Sequence, residues 1–160
     1  MTQEYDFFAS TAKFMENLLL EEIKAIGIEN AKETVAGVQF RADLTAAYRL
    51  CLWSRIANRV LLVLKRFTVP FIEALEKQIN EIDWEKHFSA TNTIAVDCHL
   101  RDSQLKHSLF AAQKTKDVIA DQFRNRLGVR PSVDTKNPDI RINLYIHRDA
   151  ATLSLDLSGD

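Results

Sequence analysis

Apolar and polar residues along the chain follow two rhythms, and the switches between them lay out an order of elements. Residues 5–9 are short and aromatic enough for a strand. Phe14, Leu18, Leu19, Ile23 and Ile26 follow at helical spacing up to Gly27, with Ser10 or Thr11 as the expected N-cap. Residues 31–35 and 38–41 read as two strands joined by a tight turn at Ala36 and Gly37. Asp43 then caps a helix to about residue 57, and the apolar, β-branched run in residues 58–69 reads as a fourth strand. Strand, helix, strand, strand, helix, strand is the βαββαβ or ferredoxin-like pattern, expected over residues 1–69 with Leu18, Ile23, Val60, Leu62 and Leu64 in its core.

Pro70 breaks the run, and the pattern restarts as a second α/β domain expected over residues 70–160. A short helix over 71–82 leads through Asp83 and Trp84 to a polar patch at 89–92, and 94–100 reads as a strand. Leu105, Leu109, Ala112, Ile119, Ala120, Phe123 and Leu127 mark one face of a long amphipathic helix that stops at Gly128. An extended stretch is expected at 132–135. Ile140, Ile142, Leu144 and Ile146 then alternate with Arg141, Asn143, Tyr145 and His147, and residues 151–158 alternate likewise after a turn at Arg148 and Asp149. The whole is an α+β chain that ends in a hairpin with one buried face.

Charge changes the picture. The 160 residues carry a net charge of −1, yet residues 101–148 hold ten Lys and Arg against five Asp and Glu, a net of +5. Residues 1–100 and 149–160 each net −3. The basic residues Arg101, Lys106, Lys114, Lys116, Arg124, Arg126, Arg130, Lys136 and Arg141 come from the long helix and its flanks, and form one polyanion-binding patch if the fold gathers them. Ser103, Gln104 and Ser108 add polar groups at the helix start, where free N–H groups bind phosphate. Lys116 falls within the apolar stripe. Either its stem packs along the core edge while the amine reaches water, or that edge of the helix is lined by phosphate.

Other chemistry is poorly represented. Four glycines, at 27, 37, 128 and 159, leave no glycine-rich phosphate loop. The four histidines lack metal-ligand spacing, and Cys51 and Cys98 read as two reduced thiols. His147, Ser154 and Asp156 share the last hairpin without a nucleophile elbow, and Asn137-Pro138-Asp139 lacks the second proline and the aromatic of an amino-methylating signature. No window approaches the roughly 18 apolar residues of a membrane span, and the acidic N-terminus is unlike a secretory signal, so the cytoplasm is the expected location.

Four blocks together resemble a known family: FFASTAKFMENLLLEEIKAIG, LCLWSRIANRVLL, KTKDVIADQF and RPSVDTKNPDIRINLYIHRDAATLSLDLSGD. They are similar to the N-terminal region of bacterial 23S rRNA guanine-N2 methyltransferases of the RlmL type. The resemblance implies a ferredoxin-like domain followed by a THUMP-type RNA-binding domain. It further implies a catalytic domain after residue 160 that would use S-adenosylmethionine, with no cofactor expected within these 160 residues and no catalytic residue among them. The implied partners are structured RNA, most of all 23S rRNA, and the methyltransferase domain of the same protein; neither DNA nor a membrane is expected. Lys114, Lys116, Arg130 and Arg141 match segments of the family's RNA-binding module. THUMP domains also serve in tRNA-modifying enzymes, so a tRNA-binding adaptor is the alternative.

Overall fold

The computed structural model describes residues 3–103, 105 and 107–158. The chain is α+β and divides into two compact units, residues 1–64 with 155–160, and residues 65–154.

In the first unit β1 (Tyr5–Ser10), α1 (Glu16–Ala25), β2 (Lys32–Thr34), β3 (Gly37–Ala42), α2 (Leu44–Trp53) and the first half of β4 (Arg59–Thr68) follow in the expected order. The strands lie β2-β3-β1-β4, all antiparallel, which is the ferredoxin-like topology. Register explains the core. Phe7 faces Phe40 and Leu62, Ala9 faces Val38 and Val60, and all six are buried on one face. The Phe7 and Phe40 rings stack at 5.3 Å, and Leu19, Ile23, Ala47 and Leu50 from the helices complete the layer. Gly37 is required by a close approach: a Cβ there would lie 2.2 Å from the Phe8 ring and 2.6 Å from the Ala9 carbonyl oxygen.

Two expectations are corrected here. Thr11 does not cap α1; its hydroxyl donates to the Ile56 carbonyl at 2.9 Å and its N–H to the Ala36 carbonyl at 2.9 Å. The chain then turns through a left-handed Phe14 (φ 77°) before the helix begins at Glu16. That late start sets the helical phase, so Leu19 is buried and Leu18, expected in the core, is 40% exposed. Ile23, Val60 and Leu62 are buried as expected, and Leu64 is half-buried. Asp43 does cap α2, its carboxylate accepting the Ala46 N–H at 2.7 Å.

The second unit contains α3 (Ile72–Asn80), a 3-10 turn at Trp84–Lys86, β5 (Ile94–Arg101), α4 (Ser108–Leu127), β6 (Ile140–His147) and most of β7 (Ala150–Asp156). β5 pairs with β6 in parallel, so α4 is the crossover between them, and β7 lies on the other side of β6. Ile94, Ile142, Leu144 and Ile146 are completely buried, as are Ile119 and Phe123 of α4 and Leu75 and Ile79 of α3. Phe88 bridges the Trp84 and Phe123 rings at 6.1 and 5.2 Å. The segment after α4 is clasped to β5. Thr93 N–H donates to the Asp139 carboxylate at 2.9 Å and Asp139 N–H to the Thr93 hydroxyl at 2.9 Å, while Val133 bridges to Ile94.

Candidate nucleic-acid interface

α4 ends as its sequence dictates, in a left-handed Gly128 (φ 77°) whose N–H bonds the Arg124 carbonyl at 2.8 Å. Its buried face is not the one expected throughout. Ala112, Ile119, Ala120 and Phe123 are buried, but Leu109 is 71% exposed and Leu127 51% exposed. Thr115 and Gln122 take their places. Thr115 is tolerated because its hydroxyl returns to the Ala111 carbonyl at 2.8 Å. Gln122 is tolerated because its amide is fully used by the turn that follows α3.

Each cation of α4, and Arg130 just past it, meets a carboxylate, with Arg124 and Arg130 sharing one. Lys114 meets Glu76 of α3 at 2.6 Å, and that hydrogen bond, with the attraction to Glu76, raises the pKa of the Lys114 amine. Lys116 reaches Asp117 at 2.7 Å, its side chain 30% exposed, so the stem lies along the edge of the core and the amine sits outside it. Arg124 and Arg130 converge on Asp121 at 3.4 and 3.5 Å, and Arg126 reaches Asp83 at 2.7 Å and Glu85 at 3.5 Å. Lys114, Asp117, Asp121 and Arg124 are three, four and three residues apart, a single stripe in which the signs of charge are mixed.

The remaining candidates lie elsewhere. Lys136 is exposed in the loop before β6, with no ion pair among the described residues. Arg141 and Arg101 alternate with the residues that face α4, which puts them on the opposite face of the sheet. Arg141 is held there by Asp97 at 2.8 Å. Arg101 is exposed and has no ion pair among the described residues. Lys106 and Gln104 lie outside the described residues. Of the nine cations expected to act together, the eight that are described are therefore divided between a helix and its C-terminal flank, a loop and the far face of the sheet.

That far face also carries residues the charge pattern passed over. The parallel register sets Asp97 beside Asn143, His99 beside Tyr145 and Arg101 beside His147. His147 Nε2 lies 3.9 Å from the Asp102 carboxylate. Alternation in residues 140–147 announced an outward polar row, but which β5 residues stand beside it depends on pairing across the crossover. Asp156 is engaged by Arg59 at 2.6 Å. Burial pushes the Cys98 thiol up to about 11, as suits a thiol on the helix-covered side of β5. Among the described residues no three His, Cys, Asp or Glu side chains gather as metal ligands, and no helix is long and apolar enough to cross a membrane.

With this geometry in view, the chain matches two family models, the THUMP domain over residues 71–156 and the RlmL ferredoxin-like domain over residues 6–61. It is 51% identical over 160 residues to the ribosomal RNA large subunit methyltransferase K/L of Methylococcus capsulatus, covering 100% of this chain and 22% of that protein. The protein of the same name from Pseudomonas aeruginosa is 46% identical over 159 residues, again with 22% of its length covered. The chain thus spans little more than a fifth of the curated relatives it matches. Among solved structures, a predicted N6-adenine-specific DNA methylase from Listeria monocytogenes superposes with a TM-score of 0.85 at 21% identity, over 96% of this chain and 40% of that one. A 4-thiouridine synthetase in complex with RNA superposes with a TM-score of 0.61 at 12% identity, over 96% and 41%. These last two likenesses establish the fold alone.

Proposed function

The chain belongs to the THUMP domain family, and on that premise we propose that it is the RNA-capturing N-terminal part of a 23S rRNA guanine-N2 methyltransferase. The observation that carries this reading is the alignment of the whole chain, at 51% identity, with a relative named for large-subunit ribosomal RNA methylation. In this reading residues 1–69 and 70–160 are the ferredoxin-like and THUMP domains. The methyl group comes from S-adenosylmethionine held by a later part of the protein, and the work is cytoplasmic. In this reading the present chain binds, orients and delivers the RNA.

The electrostatics support that role. Residues 65–154 hold 14 Lys and Arg against 12 Asp and Glu, whereas residues 1–64 with 155–160 hold seven against ten. Attraction for a polyanion is therefore concentrated in the THUMP unit. The carboxylates beside the α4 cations do not prevent binding. Exposed ion pairs contribute little because water and salt screen them, so Lys114, Lys116, Arg124 and Arg130 exchange a carboxylate for a phosphate at little cost, and displaced counterions favour the exchange. Contacts of this kind read shape and backbone, because the deep groove of A-form RNA hides the base edges.

Gel shifts with a large-subunit rRNA hairpin and with tRNA, at matched length and salt, test the assignment. The reading requires preference for the rRNA hairpin. Preference for tRNA would make the chain an adaptor of a tRNA-modifying enzyme, and binding to neither would remove RNA capture altogether.

A further inference from the structure

The end of the first unit at which β1 stops and β4 starts gathers three loops. The Thr11 N–H donates to the Ala36 carbonyl at 2.9 Å, the Thr11 hydroxyl to the Ile56 carbonyl at 2.9 Å, and the Asn58 N–H to the Ser10 carbonyl at 2.7 Å. These loops and the last turn of α2 hold large apolar side chains outward: Phe14 is 85% exposed, Leu52 81% and Trp53 73%, with Val35 exposed beside Ala36. Two of the loops are built on left-handed residues that are not glycine, Phe14 (φ 77°) and Ala36 (φ 61°), a backbone that persists only where its surroundings impose it. The end of α2 is braced as well, because the Glu22 carboxylate accepts the Ser54 hydroxyl at 2.6 Å and the Arg55 N–H at 3.1 Å. The apolar groups therefore stand on a fixed frame, open to solvent.

Charge and area select what covers them. The first unit holds seven Lys and Arg against ten Asp and Glu, a balance that repels a polyanion and favours a protein partner. Trp and large apolar groups are what the centre of a protein interface contains. A free, stable association uses about 20–30 residues a side, far more than these few. A partner on the same polypeptide sits at an effective concentration of about millimolar and needs much less. The connection is short. The Leu157 N–H donates to the Val60 carbonyl at 2.9 Å, the Ser158 hydroxyl accepts the Val60 N–H at 2.6 Å, and that hydroxyl also meets the thiol of Cys51, the neighbour of Leu52 in α2. The Methylococcus capsulatus relative, aligned with the whole of this chain, is covered over only 22% of its own length.

On the reading that a methyltransferase domain follows in the same protein, we infer that the apolar end of the first unit, formed by Phe14, Val35, Leu52 and Trp53, is the surface on which that domain docks. The polypeptide passes Ser158 beside α2, and the domain it leads to closes over the four side chains. Domains joined by a linker alone move freely, whereas an apolar interface fixes them, so captured RNA meets a catalytic domain held in place.

Hydroxyl-radical footprinting of the full-length protein and of the 160-residue chain, both without RNA, tests the inference. Phe14, Leu52 and Trp53 should be oxidised at least about fivefold more slowly in the full-length protein, as residues at the dry centre of an interface are. In the full-length double variant Leu52→Ser with Trp53→Ser, Phe14 should regain the rate it has in the 160-residue chain. Both replaced side chains are exposed, so the same substitutions in the 160-residue chain should leave its dichroism and its affinity for the rRNA hairpin unchanged. Equal oxidation rates in the two proteins, or protection of Phe14 that survives the double substitution, would overturn the inference. Protection that appears in the 160-residue chain as its concentration rises would overturn it in favour of a second copy of the chain. Methyl transfer to the hairpin by the full-length protein is measured separately, and its absence would remove the functional reading and the identity of the docked domain, whatever the footprint shows.

Discussion

Gln122 accepts the Trp84 main-chain N–H at 3.0 Å, and its amide nitrogen donates to the Ile82 and Asn80 carbonyls at 2.9 and 3.1 Å. One side chain of α4 thus satisfies three backbone groups of the turn that carries Trp84 into the core, where the indole N–H closes on the Ile79 carbonyl at 3.0 Å. Gln122→Leu keeps the volume and orphans all three groups. Each such loss costs about 1–3 kcal/mol when the group stays dry, so a destabilisation of about 3 kcal/mol is expected from urea unfolding. A change below about 1 kcal/mol would mean that packing of Trp84 alone holds the turn.

Gly37 and Gly27 separate crowding from strain. At Gly37 a methyl group meets the Phe8 ring at 2.2 Å and the Ala9 carbonyl at 2.6 Å, and the backbone oxygen cannot step aside as a side chain would. At Gly27 (φ 100°) nothing lies within 4 Å, and only the left-handed backbone resists. Gly37→Ala should cost about 2–3 kcal/mol and Gly27→Ala about 1 kcal/mol. Thermal melts of the two variants should rank in that order, and the reverse ranking would show that β3 shifts freely on β1.

Asp139 gives the β5–β6 clasp a dependence on pH. The Thr93 backbone N–H, then the Asn92 side chain, hold its carboxyl below its ordinary value of 3.8. A depressed carboxyl contributes stability that is complete above the ordinary value and is lost as pH falls through the lower, folded one. The stability gap between wild type and Asp139→Asn should therefore be widest near neutrality and narrow below about pH 4. Urea midpoints at pH 7 and pH 3 measure it, and a gap that widens in acid would contradict the assignment.

Much of the fold was legible because local signals agreed with the tertiary outcome. Both helices that end at Gly27 and Gly128 stop where left-handed glycines allow, Asp43 caps α2, and alternation through residues 140–157 names the buried side of β6 correctly. Leu18 misled because helical phase depends on where the first turn begins, and a left-handed Phe14 is not a residue type that announces itself. Thr115 and Gln122, polar residues on the buried face of α4, fall outside an apolar pattern because what admits them is bonding to backbone groups, one within the helix and the other about 40 residues away. The charge pattern located the basic segment but not its surfaces. Glu76, Asp83 and Glu85 approach α4 from α3 and the 3-10 turn, and Arg101 and Arg141 leave the helix side because of strand parity.

Salt dependence of binding to the rRNA hairpin tests RNA capture by α4 most directly, measured for the wild-type chain and for the double variant Lys114→Glu with Lys116→Glu. Both side chains project from the core, so far-UV dichroism and the urea midpoint should be nearly unchanged. The account predicts weaker binding to every hairpin sequence tried, and a log–log salt slope flatter by about 0.7 on the single-strand scale, or about 0.9 on the duplex scale, for each phosphate that the variant no longer neutralises. Unchanged affinity and slope in the folded double variant would contradict it.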